Sequence, residues 1–108
     1  MKRGTLVTVA APGDFGKPRP ALVVQSDLVD DTASVTLLLL TSALQDSPNF
    51  RVTVEPSPTN GLRTTSQVQI DKLLSVARSR TGPPIGRLHE DTMLEISRRL
   101  AVFLGIAD

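Results

Sequence analysis

The chain has 108 residues, 40% of them hydrophobic and 21% charged, with a formal net charge of +1 and no cysteine. That length and balance fit one globular domain spanning 1–108 rather than a disordered chain. The missing cysteines exclude a disulfide framework, a thiol nucleophile and a thiolate zinc site together.

In chain order, Leu6-Val7-Thr8-Val9-Ala10 alternates and is rich in β-branched residues, so it predicts a strand after the turn residue Gly4. Residues 11–20 follow with three prolines and two glycines, which predicts a loop. Ala21 to Gln25 is nearly all apolar and predicts a strand buried on both faces. Ser26 to Ala33 is polar and acidic and predicts a second loop. Ser34 to Leu40 is short and begins with β-branched residues, so it predicts a strand rather than a helix. Arg51 to Glu55 gives a fourth strand, and Pro56 to Gly61 a strong turn. Ser66 to Ile70 gives a fifth strand, with a short piece from Leu73 to Val76 packed beside it.

The end of the chain changes period. Met93, Ile96, Leu100 and Phe103 recur at helical spacing, and Leu94, Ala101 and Leu104 widen the stripe. Glu90 and Asp91 stand at its start and Gly105 at its stop, as helix ends prefer. The fold expected is mainly β with α: several short strands in a small sheet or barrel, sealed by a C-terminal helix.

Nine of the twelve basic residues are arginine, whose planar fork suits phosphate, although a solvated basic surface accounts for the same composition. Met1-Lys2-Arg3 leads into a turn rather than an apolar signal region, and no apolar run approaches the ~20 residues of a membrane span. The expectation is a cytoplasmic protein away from the membrane. A core this thin also favours a homodimer.

Candidate chemistry is narrow. The one histidine, His89, stands ahead of the helix, where capping the first turn is the favoured reading over catalysis. Asp27, Asp30 and Asp31 lack the glycine and glutamate of a calcium loop, so no metal or other cofactor is expected. No G-x-x-x-x-G-K-[ST] pattern occurs, which excludes a nucleotide-binding P-loop of that type. Arginine and hydroxyl groups remain. Arg19 lies between Pro18 and Pro20, which fix the backbone and can aim the side chain, and a surface turn arginine reads equally well. Thr41-Ser42 ends an apolar strand, where hydroxyls commonly close a turn and where sites are also built.

An ordered set of segments resembles the MazF/PemK toxins. Arg3-Gly4, then Gly16-Lys17-Pro18-Arg19-Pro20 running into Ala21-Leu22-Val23-Val24-Gln25-Ser26-Asp27, resembles the family's opening. Leu38-Leu39-Leu40-Thr41-Ser42 resembles its strand ending in a hydroxyl pair. Gly61-Leu62-Arg63 through Ser66-Gln67-Val68 and Asp71-Lys72 resembles its Gly-Leu turn and next strand. Ile85-Gly86-Arg87-Leu88, Met93 and Leu104-Gly105 resemble its closing helix.

The resemblance implies a small SH3-like barrel of the CcdB/MazF type, forming a homodimer that cleaves single-stranded RNA without a metal. An antitoxin segment, disordered and acidic when free, would hold it in check. The catalytic arginine and threonine would fall on Arg19 and Thr41, with Phe15, Lys17, Ser42, Lys72 and Arg78 as RNA-binding residues. Phe15 would stack a base, whereas Phe50 and Phe103 are assigned to the core.

Arginine holds its proton too firmly to be an easy general base, so Arg19 is assigned to charge stabilisation and proton donation to the leaving oxygen. One departure stands out. Leu74 occupies the position where many members carry a second arginine, and Lys72, Arg78 or Arg80 are the candidate substitutes. Two rival functions share the scaffold: a CcdB-like toxin that jams DNA gyrase without catalysis, and an inactive RNA-binding module.

Overall fold

Alternation in the strands sorts the apolar side chains onto two faces of one sheet. The computed structural model describes residues 1–10, 17–47 and 49–107. Its elements are β1 (Thr5–Val9), β2 (Arg19–Val23), β3 (Ser34–Thr41), β4 (Arg51–Val54), β5 (Ser66–Ala77), β6 (Thr81–Arg87) and α1 (Glu90–Phe103). All strand neighbours pair antiparallel, in the order β4-β5-β3-β2-β1-β6. The expected barrel is therefore an open six-stranded sheet with β4 and β6 at its edges.

Period two divides the core. Leu6, Leu22, Leu38, Leu40 and Ile70 point to one face, where Met93 and Ile96 of α1 cover them. Val7, Val9, Ala21, Val23, Val35 and Leu37 point to the other and form a second cluster with Val76. Full burial of each such branched side chain contributes about 1.5–3 kcal/mol, so these two clusters hold the sheet together.

β5 joins what the sequence divides into two strands. Two steps along β3, from Leu38 to Leu40, correspond to five along β5, from Leu73 back to Val68. The extra residues bulge around Asp71 and Lys72, and the strand bends without ending. Its first half pairs with β4 as well as β3, so β5 ties that edge to the centre.

β6 was not anticipated. Its sequence, TGPPIGR, has two glycines and two prolines, and Ile85 to Arg87 belong to this edge strand rather than to the closing helix. Pro83 and Pro84 are tolerated because the strand has a neighbour on one side only and its pairing with β1 is irregular.

The helix carries Glu90 and Asp91 in its first turn. It ends in a Schellman arrangement: the Gly105 amide donates to Val102 O, the Ile106 amide to Ala101 O, and Gly105 adopts φ 74°. His89 occupies the N-cap position, but its side chain makes no capping hydrogen bond. The apolar stripe is also narrower than expected. Met93 and Ile96 are buried and Leu100 packs at the margin, whereas Leu94, Phe103 and Leu104 stay exposed. Phe50 and Phe103, assigned to the core by sequence, are exposed and meet each other edge to face, with ring centroids 5.9 Å apart.

Candidate active site

Strand ends build the site. β2 and β3 pair with Ala21 opposite Leu39, Leu22 opposite Leu38 and Val23 opposite Leu37. Continued two residues along each strand, that register brings Arg19 across from Thr41 on the same face of the sheet. Arg19 is thus the first residue of β2 and not a loop residue, and a strand holds its backbone. The Thr41 hydroxyl oxygen accepts from the Ala43 amide at 3.1 Å, a local turn that leaves the hydroxyl its own proton to donate.

These residues open onto a cleft of about 590 Å³. One wall is Lys17, Pro18, Arg19 and Pro20, and the end of the cleft is Leu40, Thr41 and Ser42. Gly61 to Thr64 with Ser66 form another part of the lining, and Thr8 and Ile85 complete it. Three cations and five Thr or Ser residues line the cleft, and among the described lining residues there is no carboxylate. Such a lining concentrates anions. A larger cleft, about 1070 Å³, runs along Met1 to Thr5, β6 and α1, but its lining mixes Lys2, Arg3 and Arg87 with Asp27 and Glu90. Among the described residues, the smaller cleft is the one whose charged lining is all basic.

Two buried amides shape it. Gln67 is 6% exposed and stands opposite Thr41 across the β3–β5 ladder. Its Oε1 accepts from the Gln45 amide at 2.9 Å, and its Nε2 donates to Gln45 O at 2.9 Å. The segment after Thr41 is thereby tied to β5. Asn60 is 5% exposed and organises the Gly61–Thr64 wall. Its Oδ1 accepts from the Ser57 and Leu62 amides, and its Nδ2 donates to Glu55 O.

Glycines then let that wall close on β6. Gly61 has φ 68°, and a Cβ there would lie 2.0 Å from Ile85 O. A Cβ on Gly86 would lie 2.4 Å from Asn60 O. Only a bare backbone on each side permits this approach.

Of the residues singled out from sequence, Lys17, Arg19, Thr41 and Ser42 come together in the cleft. Phe15 lies outside the described residues. Lys72 does not line the cleft; it is exposed on the β5 bulge. Arg78 is also elsewhere. Its Nε donates to Thr32 O beside the Ser34–Ala77 pair, at the opposite end of β3 from Thr41. β3 has eight residues, so its two ends stand roughly 23 Å apart.

His89 faces a separate small cavity of about 180 Å³ with Asn60 and Thr92. Arg63, Thr64 and Thr8 line the cleft and were not singled out. The Gly61 turn beside Arg63 was the available signal. Among the described residues no group of three or more His, Asp or Glu converges.

Residues 2–104 match the family model described as PemK-like, MazF-like toxin of type II toxin-antitoxin system. The chain belongs to this family. A probable endoribonuclease MazF of Mycolicibacterium smegmatis is 47% identical over 108 residues, covering 99% of each chain. Endoribonuclease MazF9 of Mycobacterium tuberculosis is 27% identical over 116 residues, covering 98% of each.

Among solved structures, a MazE-MazF complex of Deinococcus radiodurans is 25% identical and superposes with a TM-score of 0.78, covering 99% of this chain and 97% of that one. An endoribonuclease in complex with its cognate antitoxin, from a mycobacterial species, is 24% identical. It shares the fold with a TM-score of 0.82, covering 100% of this chain and 98% of that one. The PemK-like, MazF-like scaffold is therefore present end to end. No helix among the described residues is long and apolar enough to cross a membrane.

Proposed function

We propose that this chain is a cytoplasmic endoribonuclease toxin that cleaves single-stranded RNA in the Arg19–Thr41 cleft, acts as a homodimer and is neutralised by a cognate antitoxin. The observation that supports the reading is that Arg19 and Thr41 line one cleft together with further cations and hydroxyls. The relatives' names as endoribonucleases, and the antitoxin complexes of its structural neighbours, support cleavage over gyrase poisoning.

RNA carries its own nucleophile. The 2′-hydroxyl attacks the adjacent phosphorus, the P–O5′ bond breaks, and the products are a 2′,3′-cyclic phosphate and a 5′-hydroxyl. The proton lost from the 2′-oxygen balances the one gained by the 5′-oxygen. The protein's task is alignment and stabilisation of the charge that builds on the non-bridging oxygens. The Arg19 guanidinium can clamp two of them, and the Thr41 hydroxyl can donate to a third position on the phosphate or orient the nucleophile. A cleft lined by three cations disfavours a bound metal ion, so cleavage is metal-independent.

Incubating the purified protein with mixed single-stranded RNA in excess EDTA tests the reading. Cleavage to 5′-hydroxyl and cyclic phosphate ends, with duplex RNA resistant, is the expected result. Activity abolished by EDTA and restored by magnesium overturns the metal-free mechanism.

A further inference from the structure

The family resemblance implies a second arginine at the site, and the position where it would stand is Leu74. That side chain is committed elsewhere. Leu74 pairs with Leu37 and packs at the margin of the second apolar cluster beside Val76. Arg78 is at the far end of β3, and Lys72 is outside the cleft lining. Among the described residues three basic side chains line the cleft, Lys17, Arg19 and Arg63, and Arg63 alone comes from the Gly61–Thr64 segment.

We infer that Arg63 binds a backbone phosphate of the RNA strand next to the one being cleaved; this rests on the reading of the cleft as a nuclease site. Arg63 is exposed, and among the described residues no hydrogen bond or ion pair engages its guanidinium. Its backbone, by contrast, is fixed on both sides. The preceding Leu62 is buried in the main core and its amide donates to Asn60 Oδ1 at 2.9 Å. Beyond it, the Thr65 hydroxyl donates to Glu55 Oε2 at 2.9 Å, and the Ser66 hydroxyl donates to Thr64 O at 3.0 Å.

A long cationic side chain on a rigid base, lining the same cleft as Lys17 and Arg19 from a different segment, suits a strand threaded through that cleft. A phosphate contact carries no sequence information, so Arg63 sets affinity and register while other groups select the bases.

The test uses Arg63→Ala and Arg63→Lys in the full chain with two measurements. The first is single-turnover cleavage of two single-stranded RNAs of different sequence. The second is binding of the matching all-deoxy strands, which lack the 2′-nucleophile, as a function of salt. Arg63→Ala should weaken binding about tenfold on both sequences alike. It should also flatten the slope of log affinity against log salt by about 0.7. Arg63→Lys should keep most of that slope, because the charge remains.

Wild-type affinity and slope in Arg63→Ala, with RNA still cut, overturn the phosphate contact and leave the nuclease reading intact. A loss confined to one sequence assigns Arg63 to a base and overturns it too. A wild-type protein that cuts no RNA, while Arg63→Ala loses the slope, upholds the phosphate contact and overturns the nuclease reading.

Discussion

Gln67 stands opposite Thr41 in the β3–β5 ladder, and its side-chain amide holds both the amide and the carbonyl of Gln45. The segment that presents the Thr41 hydroxyl is therefore fixed from β5 as well as by its own local turn to the Ala43 amide. Gln67→Leu fills the same space but releases Gln45. The expected cost is about 1–2 kcal/mol in urea unfolding, since water can reach the released backbone groups. Cleavage should fall further than stability suggests, about 10- to 100-fold, because a misplaced hydroxyl no longer meets the phosphate. Wild-type cleavage by a folded Gln67→Leu protein would separate the Gln45 clamp from the site.

Arg19 is the sharper case. If its guanidinium stabilises the phosphorane, Arg19→Ala loses about 2.7–4 kcal/mol of transition-state stabilisation, or ~100- to 1,000-fold in rate. Arg19→Lys should fail nearly as badly, because an ammonium cannot reproduce the bidentate fork. The exposed strand end leaves the core untouched, so circular dichroism should match wild type. A folded Arg19→Ala protein that cuts at the wild-type rate would remove Arg19 from the chemistry.

Thr41→Ala should lose less than Arg19→Ala, and Thr41→Ser should retain part of the activity because the hydroxyl and its turn to the Ala43 amide survive. Single-turnover rates at saturating RNA decide the order. An order with Thr41→Ser as poor as Thr41→Ala would mean that the methyl, not the hydroxyl, matters.

Two glycine substitutions should behave differently. Gly86→Ala would drive a methyl to 2.4 Å from Asn60 O and 2.5 Å from Thr59 O, backbone atoms that cannot rotate away. It should cost about 1–3 kcal/mol and lower cleavage by displacing the Gly61–Thr64 wall. Gly105→Ala meets nothing within 4 Å but must adopt φ 74°, costing about 1–2 kcal/mol with cleavage unchanged. Melting and cleavage measured together distinguish a displaced wall from a frayed helix end.

The strands that alternate β-branched residues were legible, as were the helix and its Gly105 stop, because each rests on local pattern. β6 was not, since a Gly-Pro-Pro run reads as a loop until a neighbour such as β1 supplies the pairing. The bulge at Asp71-Lys72 looked like a break for the same reason: polarity marks a turn and a bulge alike. Phe50 and Phe103 show the limit of composition, which cannot tell an aromatic in the core from one stacked outside it.

At the cleft, Arg19 and Thr41 were each visible, but their meeting depends on a register between distant strands. For Arg63 the only local mark was the Gly61 turn beside it. An arginine in a polar loop is unremarkable until Asn60, Gly61 and Gly86 fix which way the loop faces.

The edge strand β6 also governs how copies of this chain can meet. Pro83 and Pro84 have no amide hydrogen, and the Arg87 amide already donates to Thr59 O. An unbroken ladder cannot zip onto that border, so growth of one sheet into the next is blocked there. The chain thus carries its own safeguard against polymerising through this side.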